Sequence, residues 1–213
     1  MKQNVKDQPS KRLHRAATAI AIGGLMAAAT AHPNSSDNII LVPPTNLPAL
    51  ARQAGESMFL HDTIDGRTLL YIEQNQGARL ASFDVTDPVH IIGKGSVRLD
   101  AAGPFDFVSR LGDHAELVRY RQSHDDAVLV LPRMKDPRLR TVPGLTIGGP
   151  RDYQVVKNVY SDEINRVCDV KQVREEVTRS DTGTTFVLTE NGLFVIRRPA
   201  IEWTHQMMVI PPN

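Results

Sequence analysis

Short apolar runs broken by tight polar turns return along this chain at a nearly fixed interval, and that periodicity constrains the fold more than any other feature. Gly103-Pro104-Phe105-Asp106-Phe107-Val108 resembles Gly149-Pro150-Arg151-Asp152-Tyr153-Gln154-Val155, with the two glycines 46 residues apart. The same step backwards lands on Ser57, where Ser57-Met58-Phe59-Leu60 opens another apolar run. Asp87-Pro88 is echoed by Asp136-Pro137 and, more loosely, by Arg198-Pro199.

Each unit reads as short strands joined by turns. Thr68–Ile72 leads through Gln74-Asn75-Gln76-Gly77 into Arg79–Val85, and Val89–Ile92 follows Asp87-Pro88. Glu116–Tyr120 leads through Ser123-His124-Asp125-Asp126 into Ala127–Leu131. Thr184–Leu188 leads through Glu190-Asn191-Gly192 into Leu193–Ile196, and Asn-Gly between two such runs is among the strongest hairpin signals. The fold class expected is all-β: antiparallel strand units repeated every 40–50 residues or so, as in a partial or small propeller. The segment 161–178 departs from the repeat. Ser161-Asp162-Glu163 can cap a short helix carrying Ile164, Val167, Cys168 and Lys171 on one face, or Val170, Val173 and Val177 can belong to strands of a further unit.

Leu80-Ala81-Ser82-Phe83-Asp84-Val85-Thr86-Asp87-Pro88 resembles the LVIVD repeat, an apolar strand reading Leu-x-Val-x-Asp-Val followed by Ser/Thr-Asp-Pro. The second unit keeps Asp136-Pro137 but has Pro132 and Arg133 in place of the strand aspartate, and the third keeps Gly192-Leu193 and Pro199 but carries Arg197 and Arg198. The resemblance spans about residues 57–210. It implies an exported, propeller-like bacterial scaffold and no particular reaction, because a propeller hosts many functions.

The first residues read as an export signal. Lys2, Lys6, Lys11, Arg12 and Arg15 precede the uncharged run Ala16–Ala29, and Ala29-Thr30-Ala31 supplies the small-x-small pattern of a cleavage site. That run falls short of the roughly 20 apolar residues that span a bilayer. The expected division is a signal peptide at 1–31, an N-terminal strand and linker at 32–56, and the repeat domain at 57–213. The mature protein is expected in the periplasm or outside the cell, without stable membrane insertion. Removing the leader's five basic residues and one acidic residue turns 25 basic and 24 acidic into 20 and 23, a net of −3. So balanced a charge gives no electrostatic footprint for nucleic acid. Cys168 is the single cysteine, so no intramolecular disulfide can form.

Ile39-Ile40-Leu41-Val42-Pro43-Pro44 near the start parallels Met207-Met208-Val209-Ile210-Pro211-Pro212 at the end. Each is a short strand stopped by two prolines, and the pair is a candidate latch in which one terminal strand completes the sheet of the other end.

Chemistry is sparse. Gly93-Lys94-Gly95-Ser96 lacks the order and upstream glycine of a phosphate-binding loop and reads as a hairpin end. Neither a Gly-x-Ser-x-Gly elbow nor a His-Glu-x-x-His helix is present. His61-Asp62 with Asp65, and His124-Asp125-Asp126, mix nitrogen and oxygen donors that suit a divalent metal, but Asp is equally at home in turns, where it bonds nearby amides. Tyr71, Tyr120, Tyr153, Tyr160 and Trp203 can line a groove or fill a core. No catalytic, cofactor-binding or metal-ligating residue is assigned. The function expected is a non-enzymatic binding module for a protein or carbohydrate ligand, without a cofactor and with homo-oligomerisation left open. The alternative is a secreted metal-assisted hydrolase using His and Asp residues from separate repeats. Convergence of His61, Asp62, His124 and Asp125 in one cleft would favour the latter.

Overall fold

The computed structural model describes residues 39–132, 136–141 and 173–202, which form three four-stranded antiparallel sheets. The first sheet is β2 (Gly55–Asp62), β3 (Thr68–Gln74), β4 (Arg79–Asp84) and β5 (Ile92–Arg98), in that order. The second is β6 (Phe105–Arg110), β7 (Ala115–Tyr120), β8 (Asp126–Val130) and β9 (Arg138–Thr141). The third runs β10 (Val173–Thr178), β11 (Thr185–Thr189), β12 (Gly192–Arg197) and then β1 (Ile40–Val42) from the start of the chain. The hairpins expected at Asn75-Gln76-Gly77, His124-Asp125-Asp126 and Asn191-Gly192 are the β3–β4, β7–β8 and β11–β12 connections.

Strand alternation puts one set of side chains on each face of the first sheet, and each face has its own core. Met58, Leu70, Ile72 and Phe83 meet Phe186, Leu188, Leu193 and Val195 of the third sheet. Their sequence neighbours Phe59, Tyr71 and Leu80 meet Phe105, Phe107, Val118 and Leu129 of the second. The Phe59 and Phe107 rings lie 4.2 Å apart. Nearly continuous apolar runs in β3 and β4 are therefore the signature of a sheet covered on both faces.

The first strand of each sheet lies beside its neighbour: β2 packs against both β10 and β6. Their lateral edges are joined by side chains instead of a ladder. Ser57 Oγ donates to the Phe105 carbonyl at 2.7 Å, and the Met58 N–H donates to a Glu175 carboxylate oxygen at 2.7 Å. These bonds occupy edge groups that would otherwise template further pairing.

Charged residues at the second position of each first strand join at one end. Glu56 bonds Arg174 at 2.7 Å and Arg121 at 3.0 Å, and Arg121 reaches Asp106 at 2.8 Å. Because Glu56, Asp106 and Arg174 all sit at the starts of their strands, β2, β6 and β10 run in the same direction. Their hairpin loops accordingly emerge together at the other end.

β1 pairs with β12 in the register Ile40↔Arg197, Leu41↔Ile196, Val42↔Val195. The start of the chain thus completes the sheet built by its last described strands. The other half of the proposed latch, Met207–Ile210, lies outside the described residues.

Three local expectations need correction. Val173–Thr178 is a strand, not part of a helix, while 161–172 lies outside the described residues. A register shift between Val173 and Glu175 breaks the alternation, so Val173 and Val177 join clusters on opposite faces. That break is why the segment fails to read as a simple strand. Val89–Ile92 is not a strand, as β5 begins at Ile92. Gly93-Lys94-Gly95-Ser96 lies within β5 rather than at a hairpin end, and the register shift beside it, with Gly95 at φ +121°, marks a bulge. The linker after β1 is two 3₁₀ turns, Pro44–Asn46 and Ala49–Arg52, the second packed beneath Gly192.

Candidate functional site

The end of the sheets that carries the first hairpin loops holds an open cleft of about 460 Å³ between the first and second sheets. One wall comes from β2, β3 and the loop between them; the other comes from the β6–β7 loop and the segment after β8. Leu69, Tyr71, Leu131 and Pro132 give it an apolar strip, and Asp65, Arg67, Asp113 and His114 give it a polar rim.

The rim is repetitive. Each first hairpin loop places an Asp beside an Arg and turns on a glycine with positive φ. Asp65 pairs with Arg67 at 2.7 Å around Gly66 at φ +78°, and Asp113 pairs with Arg110 at 3.2 Å around Gly112 at φ +71°. In the third sheet Asp181 accepts from Arg179 Nε at 2.9 Å, and Gly183 follows at φ +66°. Hydrogen bonds from Thr63 and Arg67 hold the Asp65 carboxyl down at about 2. The arginines also join the sheets. Arg110 donates to the Asp62 carbonyl at 3.1 Å, and Arg179 donates to the Val85 and Thr86 carbonyls at 2.8 Å.

His61 stands at the base of the cleft. It is only 3% exposed, and its Nδ1 lies 3.3 Å from a carboxylate oxygen of Glu116, which is fully buried in the second sheet. The ring packs edge-on against Tyr71, 6.3 Å between centroids. Burial pushes the Tyr71 phenol up to about 12, so it keeps its proton and can both donate and accept.

The residues singled out from sequence disperse. His61 turns to Glu116, whereas Asp62 at the exposed end of β2 accepts from the Thr68 hydroxyl at 2.8 Å. His124 and Asp125 occupy the exposed β7–β8 turn, at the opposite end of β7 from Glu116. Four residues of strand, about 13 Å, separate Glu116 from Tyr120, whose carbonyl accepts the His124 N–H. Asp126 is buried against Arg119 at 2.7 Å. Among the described residues no group of three or more His, Cys, Asp or Glu side chains is placed to hold a metal ion. Tyr71 lines the cleft, Tyr120 is buried in the core between the first two sheets, and Tyr153, Tyr160, Trp203 and Cys168 lie outside the described residues.

Sequence reasoning missed Glu116, the three Asp–Arg pairs and the Glu56–Arg121–Asp106 cluster. A signal for the pairs exists: an Asp within two residues of a Gly just after the first strand of each unit. No comparable pattern announces Glu116, whose role depends on the approach of two sheets.

No family model, curated protein or solved structure matches this chain.

Proposed function

We propose that this chain is an exported binding module on a propeller-like scaffold of the LVIVD-repeat kind, with its ligand held at the end formed by the first hairpin loops. The observation that carries the reading is the cleft between the first two sheets, walled by two of those loops. Its volume lies within the range of roughly 300–1,000 Å³ common to ligand pockets, and it combines an apolar strip with a few placed polar groups. Side-by-side sheets with first strands running in parallel and a first-to-last strand closure support the propeller-like arrangement. The leader motif supports export to the periplasm or beyond.

A hydrolytic reading draws on one feature, the His61–Glu116 pair, in which a buried carboxylate orients an imidazole at a cleft. Ser, Thr or Cys nucleophiles are not paired with it among the described residues; the nearby Thr63 hydroxyl has its one proton turned instead to Asp65 or to the Arg67 carbonyl. Binding is therefore the stronger conclusion.

An NMR fragment screen tests it. Fragment hits are expected to converge on loops 63–67 and 111–114. Hits scattered over the surface, or gathered elsewhere, would contradict the assignment.

A further inference from the structure

We propose that the cleft between the first two sheets takes an uncharged, hydroxyl-rich ligand, a small neutral saccharide, with His61 accepting a hydrogen bond from one of its hydroxyls. This rests on the binding reading above and narrows it to a ligand class.

Charge comes first. The ionic groups of the cleft are already matched. Asp65 is held by Arg67 and Asp113 by Arg110. These rim pairs are about half exposed and screened by solvent, so they offer a charged ligand no fixed, desolvated counter-charge, and a neutral ligand needs none.

Directionality follows from Glu116. An ionised carboxylate can only accept, so in the proposed state the Nδ1 of His61 that faces Glu116 donates to it. Among the described residues Nε2 has no hydrogen-bond partner, and on that tautomer it is the nitrogen left to accept from a ligand in the cleft that His61 lines. The base of the cleft therefore wants a donor. The Tyr71 hydroxyl and the carboxylate oxygens of Asp65 and Asp113 supply further acceptors, and Arg67 and His114 supply ring or guanidinium nitrogens. Such a set suits hydroxyl groups, each of which donates and accepts at once.

Shape agrees. Leu69, Leu131 and Pro132 form an apolar strip beside those polar groups. A sugar ring is likewise two-sided in chemistry, with C–H faces and an equatorial rim of hydroxyls.

The test uses the isotope-labelled chain titrated with a fixed panel of neutral tetrasaccharides (cello-, malto-, xylo- and chito-), with a mixed tetrapeptide pool in parallel. Imidazole ¹⁵N shifts report the His61 tautomer. At least one saccharide is expected to perturb loops 63–67 and 111–114 and the Nε2 resonance of His61. Glu116→Gln can donate to Nδ1 and reverse the tautomer, so it should weaken binding by about tenfold or more, roughly 1.4 kcal/mol, and move the imidazole signature. His114→Ala, on the exposed wall, should weaken binding with unchanged thermal stability, which guards against misfolding of the buried variant. Peptide binding at the cleft with all four saccharides silent would overturn the saccharide proposal and leave the binding reading standing. Silence of both sets would overturn both. Saccharide binding indifferent to Glu116→Gln in a folded variant would overturn the role of His61.

Discussion

Glu73 is the residue whose environment most contradicts its chemistry. It is fully buried on β3; one carboxylate oxygen accepts from the Gly77 N–H and the other has no partner. Burial pushes its carboxyl up to about 7, against the helping hydrogen bond from Gly77 and the nearby Arg121. The folded state therefore holds this proton more tightly than the unfolded chain does. Its contribution to stability is complete below about 4.5 and is lost as pH rises through about 7. The loss approaches about 3 kcal/mol by linkage. Denaturant unfolding at pH 5 and pH 8 should show the protein weaker at pH 8, and Glu73→Gln should remove most of that difference. Equal pH dependence in the variant would contradict the assignment. Nearby, Gly77 sits at φ +90°, and a Cβ there would lie 2.1 Å from the Gly103 carbonyl oxygen. Gly77→Ala should cost on the order of 2–4 kcal/mol, read as a lowered denaturation midpoint.

β1 is the element with the largest effect for its length. Three residues cover the outer edge of β12, which would otherwise expose a row of unpaired backbone groups. Deleting residues 32–46 should lower thermal stability and promote aggregation, measured by light scattering, although none of the deleted residues lines the cleft. A truncated protein as soluble and stable as the parent would reduce this segment to a tether. The charge cluster at the other end of the first strands makes a smaller contribution. Its members are about one-third exposed, so a double-mutant cycle on Glu56 and Arg121 should give a coupling of only about 0.5–1 kcal/mol.

At the scale of the molecule, much of the strand plan was legible in the sequence. Turn residues such as Asn75-Gln76-Gly77 and Asn191-Gly192 mark hairpins through backbone conformation, a local property. The Ile39–Val42 run, stopped by two prolines, also announced a terminal strand. Bulges hid the rest: Lys94 lies inside a bulged strand, and β10 lost its alternation at Arg174. The site was less legible because it is made between sheets. Sequence proximity groups His61 with Asp62, yet its partner is Glu116, 55 positions away in sequence. Spacing along one strand carries no information about which carboxylate a second sheet will deliver.

The fold that frames the cleft depends on three sheets standing side by side, with β1 sewn into the last described sheet. A methyl- and aromatic-labelled NOE spectrum measures that arrangement directly. Cross-peaks are predicted between Val42 and Val195, between Phe59 and Phe107, and between the Met58 methyl and the side chains of Phe186 and Leu188. Strong hairpin cross-peaks within each sheet, with none between Val42 and Val195 or between Phe59 and Phe107, would mean that the sheets form but do not assemble, and would contradict the account.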